Sequence, residues 1–185
     1  MRTIWDNEMT IENLTPGNNA PQEVEVIIEI SPQQGPVKYE ICKDSGRLKV
    51  DRFLQTSMVY PCNYGYIPAT LCDDGDPCDV LVISPYDVIP GSIISARPIG
   101  MLVMEDEAGL DNKILAVPTS DMTKRYDHIQ RIDDIDTELK DRIEHFFQHY
   151  KDLDSNKWVK LQGWQDADAA ITEITNSIER YNTQD

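Results

Sequence analysis

The apolar residues change period part-way along the chain, and that change sets the fold class. From Glu23 to Val117 they come in short runs bounded by Gly, Pro and Asp, the pattern of strands joined by turns. Glu23-Val24-Glu25-Val26-Ile27-Ile28-Glu29-Ile30 alternates before turning apolar. Pro36–Ile41 and Arg47–Leu54 flank Asp44-Ser45-Gly46, which predicts a hairpin. In its first strand Val37, Tyr39 and Ile41 share one face, and Lys38 and Glu40 share the other. Further strands are expected over Asp79–Ile83, Ser92 to about Met104, and Lys113–Val117. Beyond residue 120 the spacing becomes helical through Ile135, Leu139, Ile143, Phe146, Phe147 and Tyr150, with Asp133, Asp134 and Asp136 suited to a helix N-terminus. A strand-like Lys157–Leu161 follows, and Asp166 opens a last amphipathic helix through Ala170, Ile171, Ile174, Ile178 and Tyr181. The expectation is an α+β domain: a closed or nearly closed β core with helices at its edge.

A chain of 185 residues fits one domain. We read 1–185 as that single domain, with the polar stretch 1–21 as an N-terminal extension or surface-wrapping arm. Met1–Glu8 has no apolar run, so it is not read as a signal peptide, and no run approaches the ~18 apolar residues of a membrane span. The cytoplasm is the expected compartment. There Cys42, Cys62, Cys72 and Cys78 read as reduced, packed thiols. The 33 carboxylates against 17 Lys and Arg, a net charge of −16, argue against a nucleic acid or an anionic membrane as partner. An anionic substrate then requires cations that invert the field locally, either bound metals or clustered Lys and Arg.

The densest chemical signal is Asp73-Asp74-Gly75-Asp76-Pro77-Cys78-Asp79, directly before an apolar strand. Four carboxylates in seven residues repel one another, and either solvent exposure or a cation relieves that. Gly75 and Pro77 enforce a tight turn on which Asp74, Asp76 and Asp79 can converge. All-oxygen donors suit Mg²⁺, Mn²⁺ or Ca²⁺. Alone, such a loop is more often a solvated acidic turn. A calcium EF-hand fits poorly, because counting from Asp74 its obligatory Gly would fall on Asp79. The second acidic turn, Asp106-Glu107-Ala108-Gly109-Leu110-Asp111, shifts the balance; with Glu29 and Glu40 on strands it suggests a site for several metal ions. Lys38, Arg52, Lys113, Lys151 and the phenols Tyr60, Tyr64 and Tyr150 suit phosphate oxygens, although each taken singly is a solvated charge or a packed ring. His145 and His149 stand four apart, but no Glu beside His145 completes a zinc motif.

Several of these runs, in order, resemble the bacterial family I soluble inorganic pyrophosphatases. They are Val37-Lys38-Tyr39-Glu40, Val50-Asp51-Arg52-Phe53, Tyr60-Pro61-Cys62-Asn63-Tyr64-Gly65-Tyr66, Asp74-Gly75-Asp76-Pro77-Cys78-Asp79-Val80 and Asp106-Glu107-Ala108-Gly109. His145-Phe146-Phe147, Tyr150-Lys151-Asp152-Leu153 and Lys157-Trp158-Val159 continue the series, so the resemblance runs from about residue 22 to the C-terminus. It implies a five-stranded, OB-like β-barrel flanked by α-helices, a homohexamer, and several Mg²⁺ ions per site, with Mn²⁺ as an alternative. It implies hydrolysis of pyrophosphate to two phosphates by a metal-activated water. By the same resemblance Asp74, Asp79 and Asp111 hold the ion that carries that water, and Asp79 bridges to a second. Glu29, Asp106 and Asp111 face ions that arrive with the substrate, with Glu107 nearby, and Asp76 is the general base. Lys38, Arg52, Tyr64, Lys113, Tyr150 and Lys151 bind phosphate oxygens, and Glu40 and Tyr60 support them. Cys78 departs from the family pattern, which has an aliphatic residue there, and the stretch through about Asn19 is longer than in the bacterial members.

The chemistry agrees with what the resemblance implies. Phosphoryl transfer asks mainly for positioning and charge stabilisation, and metals with Lys and Arg supply both. Two rivals stand beside it: an OB-like binding module, for which paired carboxylate turns have no use, and a hydrolase of another phosphoanhydride, for which no nucleotide motif is present.

Overall fold

The computed structural model of the chain describes residues 14–42 and 45–184. Most of the expected N-terminal arm (1–13) and Asp44 of the expected hairpin turn lie outside them. Within the described part of the arm, the Pro16 carbonyl accepts the Glu25 N–H at 2.8 Å, which ties the segment to the first strand.

The described residues form nine strands and two α-helices: β1 (Val24–Ile30), β2 (Val37–Ile41), β3 (Leu48–Phe53), β4 (Asn63–Tyr66), β5 (Asp79–Val82), β6 (Ile93–Asp106), β7 (Gly109–Leu110), β8 (Lys113–Pro118), α1 (Thr137–His149), β9 (Val159–Asp166) and α2 (Ala167–Asn182). β1, β4, β5, β8 and β6 pair in that order, and β6 pairs back with β1, so five strands close a ring. The sheet is mixed, because β5 and β8 are parallel while the other pairs are antiparallel. The C-terminal half of β6 leaves the ring and carries β9, and β2 and β3 form the expected hairpin.

β5 and β8 read as near-continuous apolar runs because both of their faces are buried. Leu81, Leu115 and Val117 face one core, which also takes Ile143, Phe146 and Phe147 of α1. Their neighbours Val80, Val82, Ile114 and Ala116 face a second core, closed by Ala170 and Ile174 of α2. Strand alternation thus shares the same segments between two cores.

Three of the differences from the sequence expectation have a clear physical reason. β4 was hidden in an aromatic run with no strand alternation; Gly65 sits in it because a Cβ there would collide with the Ile27 carbonyl of β1. β9 runs on to Asp166, since pairing with β6 outweighs the poor strand propensity of its Gly163. Helix α1 starts at Thr137: Asp136 caps it by accepting the Glu138 N–H at 2.7 Å, while Ile132–Asp134 forms a separate short 3-10 turn. Cys62, Cys72 and Cys78 are free thiols.

Candidate active site

Parallel pairing of β5 with β8 sets Asp79 opposite Lys113 and brings the two acidic loops that precede these strands to one end of the sheet. The Lys113 side chain is buried, and its ammonium contacts both the Asp79 and Asp111 carboxylates. Burial alone would lower the Lys113 ammonium, but Asp79 and Asp111 outweigh it and hold it well above its ordinary value. Burial also raises the Asp111 carboxyl against the pull of Lys113, with Asp79 repelling as well.

The first acidic loop is shaped by its own backbone. Gly75 has φ +90°, which an L side chain resists, and the Asp76 N–H donates to Asp74 Oδ1 at 3.0 Å. Cys72 N–H reaches the Asp76 carbonyl at 2.8 Å and closes the turn. Asp76 is thereby exposed at the tip, and Asp74 is half-buried. Burial raises the Asp74 carboxyl, and repulsion from Asp111, Asp76 and Asp79 adds to that.

At the end of β6, Lys151 Nζ lies 2.6 Å from Asp106 Oδ2 and 3.4 Å from Glu107 Oε2. From β1 comes Glu29, whose Oε1 accepts the Ile41 N–H at 2.6 Å. Burial pushes the Glu29 carboxyl up to about 8; the Ile41 N–H opposes this, while Asp79 and Glu40 reinforce it. On the hairpin, the Lys38 ammonium contacts Glu40 as the shared face requires. A bulge opposite Lys38 and Tyr39 inserts Asp51 into β3, and Asp51 Oδ2 then lies 3.0 Å from Arg52 Nη1 and 3.3 Å from Lys38 Nζ.

Three phenols complete one wall. Tyr60 packs its ring 4.9 Å from Tyr64 and 4.6 Å from Phe146, and Phe146 stacks on Tyr150 at 5.1 Å. Burial raises all three phenols above their ordinary value, so they remain protonated hydrogen-bond donors.

All fifteen residues singled out in the sequence line one cavity of about 640 Å³. It also takes in Lys157, which lies 3.5 Å from Glu107, Tyr181 near the end of α2 and Gln184 just beyond it. Sequence reasoning missed these three. Lys157 reads as part of a strand-like run, and Tyr181 falls on the apolar stripe of its helix.

The cavity counts eight carboxylates against five Lys and Arg side chains. Its acids are hard oxygen donors held close together, two of the most buried are driven toward protonation, and a divalent cation suits such a set. Among the described residues, however, no three His, Cys, Asp or Glu side chains form a finished metal cage. Lysine ammoniums sit between the acids instead, Lys113 at Asp79 and Asp111 and Lys151 at Asp106 and Glu107.

The family profile described as inorganic pyrophosphatase matches residues 26–182. The chain belongs to the inorganic pyrophosphatase family. It is 54% identical to an inorganic pyrophosphatase of Escherichia coli (strain K12) over 172 residues, 93% of this chain and 98% of that one. It is 53% identical to one from Xanthomonas campestris pv. campestris over 175 residues, 95% of this chain and 98% of that one. Among solved structures, the inorganic pyrophosphatase of Thermus thermophilus superposes with a TM-score of 0.88 at 43% identity, covering 94% of this chain and 99% of that one. Asp74, Asp76 and Asp79 all line the cavity.

Proposed function

We propose that this chain hydrolyses pyrophosphate to two phosphates in the carboxylate-lined cavity, with several Mg²⁺ ions as cofactor and Mn²⁺ as an alternative. The observation that carries this is the charge balance of the cavity in a member of this family. Eight carboxylates against five Lys and Arg leave a formal excess of negative charge, of two even with the Glu29 carboxyl protonated, which on its own repels a polyanion. Divalent cations reverse that sign, and Asp74, Asp79, Asp106, Asp111 and Glu29 are the residues that would hold them.

The chemistry that Mg²⁺ would supply when bound is neutralisation of the substrate's charge and a lower pKa for the attacking water. The chain's own groups do the rest. Asp76, exposed at the tip of its loop, accepts the proton of the attacking water. Lys38, Arg52, Lys113 and Lys151 bind phosphate oxygens and stabilise the charge that gathers on the leaving phosphate. Tyr64 and Tyr150 donate from protonated phenols, Tyr60 buttresses them, and Glu40 and Glu107 orient Lys38 and Lys151. The lysines that bridge carboxylates here are the same groups assigned to phosphate oxygens, so loading with cation and substrate exchanges one set of partners for the other.

We further propose that residues 1–185 act as one cytoplasmic domain whose ring of five strands is an OB-like barrel, and that six copies assemble. The test of the activity is phosphate release from pyrophosphate by the purified protein, with Mg²⁺ and with excess chelator. Release that disappears with chelator is expected; a folded sample inert with Mg²⁺ overturns the proposal.

A further inference from the structure

The loop that carries Asp74 and Asp76 is held at both ends, and the two ends are held by different parts of the chain. Its C-terminal end is fixed to the segment that leaves β4: the Cys78 N–H donates to Thr70 Oγ1 at 2.9 Å, and the Cys78 carbonyl accepts the Ile67 N–H at 3.0 Å. Its N-terminal end is fixed to α2, a helix about a hundred residues away in sequence. The Leu71 N–H donates to the Ser177 carbonyl at 2.9 Å, and the Leu71 carbonyl accepts Arg180 Nη1 at 3.1 Å. Both backbone groups of one loop residue are therefore taken by one helix.

Arg180 does more than close that pair. Its Nη2 lies 3.1 Å from Asp73 Oδ1, and its Nη1 lies 3.6 Å from Glu173 Oε1 about two turns earlier on α2. The planar guanidinium fork thus spans a backbone carbonyl, a loop carboxylate and a helix carboxylate, a geometry that a lysine ammonium does not reproduce. Between the two anchors, the hydrogen bonds from Cys72 N–H to the Asp76 carbonyl and from Gly75 N–H to the Cys72 carbonyl make residues 72–76 a small closed unit. Loosening Leu71 frees that unit as a body, and Asp74 and Asp76 move with it.

We infer that Arg180 is a positioning residue for this site: it clamps the loop through Leu71 and Asp73 so that Asp74 and Asp76 are already placed when cation and substrate arrive. The inference rests on the reading that Asp74 holds a cation and Asp76 serves as base. Arg180 touches neither carboxylate's site directly, and it acts through the backbone of the loop.

The charge of Arg180 gives the test a sign. Removing a positive charge near a cation site strengthens cation binding by Coulomb's law, whereas loss of positioning weakens it. Arg180→Met is expected to weaken Mg²⁺ binding, measured by calorimetry on the full chain, by about 10-fold, the usual effect of losing a ligand's support. Amide hydrogen exchange over residues 71–76 should quicken while exchange in β5 and β8 stays unchanged, a pattern that general destabilisation does not give. Arg180→Lys keeps the charge but loses the fork, and should fall between. Mg²⁺ affinity equal to or tighter than that of the original chain, or loop exchange that moves only together with the sheet, overturns the inference. If Arg180→Met does not fold, Arg180→Lys decides by itself, with unchanged affinity and exchange overturning the inference. Absence of Mg²⁺-dependent phosphate release by the original chain would count against the proposed activity instead, and the exchange measurement would still judge the clamp.

Discussion

Lys151 Nζ lies 2.6 Å from Asp106 Oδ2, and both side chains are about nine-tenths buried or more. Burial alone would raise the Asp106 carboxyl, but the Lys151 ammonium and the Ala108 N–H hold it below its ordinary value. Two opposite charges have been taken out of water together, and each depends on the other.

Lys151→Met should therefore cost the cation-free protein about 3–5 kcal/mol, the usual result of leaving one member of a buried pair uncompensated. The pH dependence follows from the sign of the shift. A carboxyl with a depressed folded pKa contributes stability above its unfolded value, and that contribution is lost as pH falls through the folded one. The penalty should thus be full at neutral pH and shrink in acid below about pH 4. Mg²⁺ should restore part of it, because a bound cation takes the place of the ammonium at Asp106. Chemical denaturation with and without Mg²⁺ measures both effects, and a neutral-pH penalty below about 1 kcal/mol would contradict the dependence of the pair.

Glu29 makes the opposite prediction. Its carboxyl is pushed from 4.5 to about 8 in the folded chain, chiefly by burial. A raised folded pKa gives stability that is fully present below the unfolded value and is lost as pH rises through the folded one. In chelator, Glu29→Gln should be close to neutral at pH 4 and stabilising above pH 8, by on the order of a few kcal/mol. Its amide oxygen still accepts the Ile41 N–H that Glu29 Oε1 now holds at 2.6 Å. Thermal melts at the two pH values decide, and a Tm difference that does not grow with pH would remove the proposed ionisation strain.

Asp76→Asn should leave the fold intact, because its side chain is exposed and the turn is tied by the Asp76 backbone. Turnover on pyrophosphate should fall by about 10²–10⁴-fold, the range for loss of a general base. Near-original turnover at saturating Mg²⁺ would take the base role away from Asp76.

The sequence made the strands and the acid-rich site legible for different reasons. β5 and β8 were plain because burial on both faces requires continuous apolar runs, and their parallel pairing is what delivers Asp79 and Asp111 to one place. The fifteen cavity-lining residues proposed for the site were singled out through the resemblance, since Lys38 or Tyr150 alone carries no mark that separates it from a surface charge or a core ring. β4 was not legible, because Asn63-Tyr64-Gly65-Tyr66 is chosen for close approach to β1 rather than for alternation. Arg180 was invisible for another reason. Its partner Leu71 is engaged through backbone atoms, and backbone atoms leave no signature in side-chain sequence. That lysines bridge the carboxylates was likewise out of reach, because it depends on the register that sets Lys113 opposite Asp79.

Arg52 tests whether geometry or charge matters on the substrate side. The bulge that inserts Asp51 into β3 lets Asp51 hold Arg52 Nη1 at 3.0 Å, which fixes the plane of the guanidinium. Its buried Nε has no hydrogen-bond partner among the described residues. A buried donor left unpaired costs about 1–3 kcal/mol, so a phosphate oxygen that reaches it recovers that amount on binding. Lysine keeps the charge but offers no donor at that position and no fixed plane. Arg52→Lys should therefore lower kcat/KM for pyrophosphate by about 10–100-fold, the equivalent of one charge-assisted hydrogen bond, and Arg52→Ala should lose at least as much. Steady-state kinetics at saturating Mg²⁺ give the answer. If the lysine variant matches the original chain while the alanine variant fails, charge alone is enough and the directed Nε donor plays no part.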